Sequence, residues 1–263
     1  MQTMALPPAA AAFDAIADAF DERFGGWASV NAQRRAVRAE LVAAFAPGAR
    51  VLELGGGTGE DAAWLAREGR IVQFTDPSPA MVRVAGEKLR ALGMPEPVVA
   101  DAADLGSLTG AFDGAFSNFA AMNCVADLPA VARGLSRLIR PGGSALLVLF
   151  GTACPAEWLT QVARGRARQA FRRATRGDVR ARLGGREFTV RYHRRADLER
   201  AFAPSFELAE QRGIGVFVPP SDAEPWISAH STLLAALEGM DRLTSRLLAP
   251  LGDHVLYRFV RRA

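Results

Sequence analysis

Short apolar runs alternate with amphipathic stretches along most of the chain. Val51, Leu52 and Leu54 suit a strand buried on both faces, and Glu60–Arg67 follows at once with a helical pattern. The same unit recurs. Ile71–Thr75, Pro97–Ala100, Phe112–Asn118 and the almost wholly apolar Ser144–Phe150 read as further strands, each closed by turn residues. Ala196–Phe202 then reads as a helix, Phe206–Arg212 as a sixth strand and Val255–Val260 as a weakly alternating seventh. Strands alternating with helices predict an α/β, doubly wound, mostly parallel sheet. Near the start, Phe13, Ile16, Ala17, Phe20 and Phe24 recur at helical spacing and predict one amphipathic helix.

The first strand runs into Gly55-Gly56-Gly57-Thr58-Gly59. Glycines between a strand's carboxyl end and a helix's amino end let backbone turn sharply and approach a ligand, at the place where open α/β sheets bind nucleotide-like molecules. The dinucleotide fingerprint needs a third glycine at position 60, and position 60 is Glu. No Gly-Lys-Ser/Thr follows, which excludes a P-loop. Glu53 before the turn and the acid at the helix start would repel a pyrophosphate but suit an ammonium group. The second strand ends in Asp76, 23 residues after Glu53, near the roughly 20-residue offset at which a strand-end acid meets ribose hydroxyls. A carboxylate there can accept from both hydroxyls.

Glu53 with the glycine run, Asp76-Pro77-Ser78-Pro79-Ala80-Met81 and Leu-Ile-Arg-Pro-Gly-Gly before the fifth strand resemble the class I S-adenosylmethionine-dependent methyltransferases. Phe-Asp-Ala-Ile-Ala-Asp-Ala-Phe-Asp near the start is similar to the leading segment of the ubiquinone- and menaquinone-type subfamily. The resemblance implies a Rossmann-like seven-stranded sheet with its last strand inserted antiparallel, plus an α-rich substrate cap. It implies S-adenosylmethionine as cofactor and S-adenosylhomocysteine as product. Gly55, Gly56, Gly57 and Gly59 would carry the turn, with Glu53 before them. Asp76 would take the ribose, Pro77 and Met81 would pack near the adenine, and Asp101 with the backbone of Ala102 would bind it. Asn118 would lie beside the transferable methyl. Where many small-molecule members carry a His, this chain has Asn123, which can orient a substrate but cannot take a proton at neutral pH. One methyltransferase domain is expected over residues 1–263: a helical lid (1–45), a cofactor core (46–150), cap insertions (151–195 and 214–250) and closing strands (196–213 and 251–263). The lid reading of the first segment stands even with ordinary docking on the core, and Phe20 stands where relatives commonly have Tyr.

At 263 residues and 49% hydrophobic content the chain can bury a full core and a cap. Cys124 and Cys154 have neither metal-ligand nor disulfide-framework spacing, which points to buried thiols in a reducing cytoplasm. The first twelve residues lack a basic region and read as a frayed terminus rather than a signal peptide. Residues 164–186 carry nine Arg and one Asp, a local charge of +8 within a total of +4. That block is a solvated face, a surface for anionic lipid or nucleic acid, or a site for an acidic substrate. On a helix over Glu157–Arg173, Arg166 falls mid-way along the apolar face and either snorkels or faces the pocket. Trp158 and Trp226 either wall an aromatic acceptor or pack the cap. His193, His230, Tyr192 and Tyr257 are the candidate bases, none with an evident partner. No metal is expected. The expected reaction is methylation of a small hydrophobic or aromatic molecule, with nucleic acid unlikely and at most weak membrane-surface contact. The alternatives are a lipid or RNA methyltransferase using the Arg-rich block, or a silent cofactor-binding module.

Overall fold

The computed structural model describes residues 6–263. Its strands are β1 (Arg50–Leu54), β2 (Ile71–Asp76), β3 (Val98–Val99), β4 (Phe112–Ser117), β5 (Ile139–Phe150), β6 (Asp178–Leu183), β7 (Arg186–Arg191), β8 (Phe206–Ile214) and β9 (His254–Arg261). Its helices are α1 (Pro8–Asp14), α2 (Phe20–Phe24), α3 (Ala28–Ala44), α4 (Glu60–Arg67), α5 (Pro79–Arg90), α6 (Leu128–Leu138), α7 (Pro155–Ala163), α8 (Ala167–Ala170), α9 (Arg195–Phe202) and α10 (Ser231–Thr244).

Seven strands form one sheet in the order β3-β2-β1-β4-β5-β9-β8. β1 to β5 pair in parallel, and β9 inserts antiparallel to both β5 and β8. Residue alternation along the buried strands divides the core into two faces. Leu52, Leu54, Ala145, Leu147 and Leu149 meet Leu135 of α6 and Phe202 of α9 on one side. Val51, Phe116, Leu146 and Val148 meet Leu41 of α3, Leu65 of α4 and Leu89 of α5 on the other. This is the Rossmann-like sheet expected from the sequence.

Three local expectations are corrected. The first segment is not one helix: α1 ends at Asp14, a short 3-10 turn spans Ala17–Ala19, and α2 follows. The fraying expected over the first twelve residues fails from Pro8 onward, where α1 begins with proline in its first turn; residues 1–5 lie outside the described residues. The helix expected over Glu157–Arg173 breaks at Gly165, which takes φ +71°, leaving α7, α8 and a 3-10 turn over Arg172–Ala174. The α-rich cap also carries two strands. β6 and β7 form an antiparallel hairpin around Gly184-Gly185, and α1 packs against it. No helix among the described residues is long and apolar enough to cross a membrane.

Candidate functional site

The carboxyl ends of β1, β2 and β4 open into a cavity of about 740 Å³, within the range of roughly 300–1,000 Å³ usual for small-molecule sites. Gly55, Gly57 and Gly59 all take positive φ (62°, 59° and 77°). They set Gly59 as the N-cap of α4. A Cβ on Gly57 would meet nothing within 4 Å, so it would project into free space at the ligand end.

The carboxylates arrive as the strand ends predict. Asp76 accepts from Gly57 N–H at 2.9 Å and from Ser78 N–H at 2.8 Å. Burial nevertheless pushes its pKa up to about 6, those two backbone donors offsetting part of the effect. Glu53 is fully enclosed, and its Oε2 makes no hydrogen bond among the described residues. Burial, and then the charges of Asp61 and Asp76, hold its carboxyl well above the usual range. Asp101 accepts from Ala103 N–H at 2.8 Å. Asn118 donates to Asp61 Oδ2 at 2.7 Å, and its own Oδ1 accepts from Phe119 N–H at 2.8 Å. Phe119 and Ala120 then turn at φ 47° and 64°, a left-handed step that is costly for non-glycine residues and concentrates at functional sites.

Glu53, Gly55, Gly56, Gly57, Asp76 and Pro77 all line the cavity, as do Met81, Asp101, Ala102, Asn118 and Phe20. Gly59 lies behind the wall; a Cβ there would meet Ala85 Cβ at 2.8 Å. The substrate-side expectations fare differently. Asn123 is buried away from the cavity, donating to Arg191 O at 2.7 Å and accepting from Phe150 N–H at 2.9 Å, so it ties the cap to β5. Arg166 is exposed beyond the Gly165 break, neither snorkelling along an apolar face nor facing the pocket. Trp158 packs on Phe171 at 5.7 Å, and Trp226 is exposed and lies tilted against His230 at 4.6 Å; neither lines the cavity. Among the candidate bases, His193 Nε2 is bound to Val125 O at 3.0 Å, with burial lowering its pKa. His230 sits on Trp226 O, and Tyr257 is core beneath α9. Tyr192 does line the cavity, with its pKa raised by burial.

The first segment lines one side of the cavity. Asp14 accepts from Ser78 Oγ–H and Ala80 N–H at 2.7 and 2.9 Å. Asp21 receives Thr58 Oγ1–H and pairs with Lys88. Phe13 meets Phe20 at 6.3 Å and Phe188 of the hairpin at 5.9 Å, and Phe24 continues the wall to Trp27.

Several wall residues carried no functional reading in the sequence. Arg34 of α3 lies 5.0 Å over the Phe119 ring, its Nε 3.6 Å from Asp61 and unbonded among the described residues. Asp253 and His254 open β9 and line the far end with Gln33, Arg172 and Arg173. Arg173 donates to Asp253 O at 2.6 Å and Oδ1 at 2.7 Å and also pairs with buried Glu157. The missed signal was topological: an antiparallel last strand begins where the parallel strands end, so Asp253-His254 had to fall at the ligand edge. Glu53, Asp61, Asp76 and Asp101 line the cavity near the glycine turn, and Asp253 with Arg172 and Arg173 lines it near the start of β9.

Fold and site define a doubly wound protein with acidic strand ends, built for a ligand that carries a cation and a ribose. Residues 51–143 match the family of the methyltransferase domain. The chain is 32% identical over 142 residues to a demethylmenaquinone methyltransferase of Clavibacter sepedonicus, covering 54% of this chain and 58% of that protein. It is 36% identical over 100 residues to methyltransferase GfsG of Streptomyces halstedii, covering 36% of each. The chain thus spans 58% and 36% of the lengths of these curated relatives. The CcbJ methyltransferase of Streptomyces caelestis shares the fold with a TM-score of 0.59 at 18% identity, over 96% of this chain and 98% of that one. Over residues 51–143 the chain is thus similar to methyltransferase domains, and its fold is one that a methyltransferase shares.

Proposed function

We propose that the protein transfers a methyl group from S-adenosylmethionine to a small hydrophobic or aromatic acceptor. The observation that carries this reading is the cavity, acidic at the glycine turn and aromatic beyond Asn118. The residues fit the cofactor. The orphaned Glu53 carboxylate suits its ammonium, the unbonded Nε of Arg34 its carboxylate, and Asp76 its ribose hydroxyls. Asp101 and Ala102 suit the adenine edge, and the space in front of Gly57 admits the chain between them. When bound, the cofactor supplies an electrophilic methyl on a sulfonium.

The protein's contribution is positioning and dryness, because in-line displacement needs alignment more than covalent help. Asn118, locked by Asp61 and Phe119 N–H, fixes the wall beside the reacting carbon. Phe13, Phe20, Phe24 and Phe188 line the cavity with apolar rings that keep water from it. Burial pushes the Cys124 and Cys154 thiols up to about 11, so both stay protonated near neutral pH.

The test is calorimetry with S-adenosylhomocysteine, followed by mass spectrometry of acceptor mixtures incubated with S-adenosylmethionine. Binding that Asp76→Ala abolishes is expected. A wild-type protein that binds neither cofactor form would end the proposal.

A further inference from the structure

The imidazole at the start of β9 is held in a way that fixes which nitrogen is free. Asp253 is buried and paired with Arg173, whose guanidinium donates to its Oδ1 at 2.7 Å. It is therefore an acceptor only. Gln33 Nε2 donates to Asp253 Oδ2 at 3.0 Å, which orients the amide and leaves Gln33 Oε1 as an acceptor. His254 Nδ1 lies 3.1 Å from that Oε1 and 3.4 Å from Asp253 Oδ2. Both neighbours accept, so Nδ1 carries the proton and Nε2 keeps the lone pair. Nε2 makes no hydrogen bond among the described residues. The ring stacks on Phe150 at 4.8 Å and meets the edge of Phe119 at 5.7 Å. Both phenyls and the imidazole line the same cavity.

We propose that His254 is the general base of the reaction, that Gln33 and Asp253 are its positioning residues, and that the acceptor is a phenol. This rests on the methyltransferase reading above. The acceptor oxygen forms a bond to the methyl carbon, and the carbon–sulfur pair leaves with sulfur. The phenolic proton passes to His254 Nε2, and the imidazolium is balanced by Asp253. An imidazole whose outer nitrogen keeps its lone pair can take the phenolic proton as attack proceeds. A protonated amine acceptor is disfavoured by the cations on the same wall: Arg34 over Phe119, and Arg172 and Arg173 beside Asp253. The remaining ionisable groups around the imidazole are accounted for. Glu157 is paired with Arg172 and Arg173, and Cys154 and Tyr192 are both raised by burial.

The test uses 2-naphthol as acceptor, with S-adenosylmethionine and mass detection of the methyl ether. Wild type is expected to methylate it, with kcat/KM rising with pH through one ionisation. His254→Asn and His254→Gln should lose roughly 10²–10⁴-fold in that rate while S-adenosylhomocysteine affinity stays within about threefold, which also shows that the variants are folded. Gln33→Met should displace the ionisation in the pH profile, which a merely structural role would leave in place. Long-range ¹⁵N–¹H spectra of the wild type should show the Nδ1–H tautomer at His254. Wild type that binds S-adenosylhomocysteine but methylates no naphthol overturns the proposal. So does a His254 variant that keeps transfer within threefold, or an Nε2–H tautomer. Wild type that binds no S-adenosylhomocysteine fails the cofactor reading instead, and this proposal with it.

Discussion

Replacing Asp76 by Asn should make the free protein more stable and the cofactor complex weaker, two effects of opposite sign from one atom change. In the folded chain the Asp76 carboxyl is pushed up to about 6 from an ordinary value of 3.8, chiefly by burial. A carboxylate raised on folding contributes stability that is fully present below its unfolded pKa and lost as pH rises through its folded pKa. At about pH 7.5 the wild type therefore bears the whole cost of ionising a buried group, about 3 kcal/mol for a shift of about two pH units. Asn carries no charge and escapes that cost. It surrenders one of the two backbone bonds, because its amide faces either the Gly57 or the Ser78 N–H, at a penalty of about 1–2 kcal/mol. The net gain is about 1–2 kcal/mol, a rise of about 2–8 °C in Tm for a chain near this size. The gain should vanish near pH 4, where both proteins are neutral at this position. Affinity for S-adenosylhomocysteine should meanwhile fall roughly 10²-fold or more, since charge-assisted bonds to ribose hydroxyls contribute about 1.5–3 kcal/mol each. Melting curves of the two proteins across pH, with calorimetry at each end, measure both effects. An Asn variant that melts lower than wild type at pH 7.5, or a Tm difference that does not change with pH, would refute the burial argument.

Gly57→Ala should fold with about 1–2 kcal/mol of left-handed strain, yet bind S-adenosylhomocysteine at least about tenfold more weakly by calorimetry, because its methyl enters the space the ligand needs. Arg173→Met should cost about 3–5 kcal/mol, since Glu157 and Asp253 keep buried charges without their cation. Hydrogen exchange should show the loss concentrated in residues 155–174. Asp14→Ala removes the acceptor for Ser78 Oγ–H and Ala80 N–H. Exchange should quicken over residues 8–24 with little change in Tm, and S-adenosylhomocysteine should leave faster by stopped flow if the first segment is a lid.

What could be read from the sequence was what the chain encodes locally. Glu53, Gly55, Gly56, Gly57, Asp76 and Asp101 lie at or directly after the strands that place them, so a strand-end reading puts each at the cavity without knowledge of distant contacts. The acceptor end is built otherwise. Gln33 meets His254 across 221 positions, and Arg173 meets Asp253 across 80, and no periodicity reports pairs of that separation. The cap shows how a correct local signal can be outweighed. Val179, Ala181 and Leu183 alternate with polar residues before Gly184-Gly185, and Phe188 and Val190 alternate after it, the pattern of a two-residue hairpin. The density of Arg in that stretch drew the reading toward charge instead. Arg166 failed for a related reason. A helical wheel assumes unbroken 3.6-residue rotation, and Gly165 at φ +71° ends that rotation one residue earlier. The break carries Arg166 out to solvent. Seven residues further on, past α8 and within the tight 3-10 turn over Arg172–Ala174, Arg173 faces inward and supplies the buried cation that pairs with Asp253. The charge that matters at the acceptor end therefore came from the Arg-rich block, through a residue whose direction the wheel could not give.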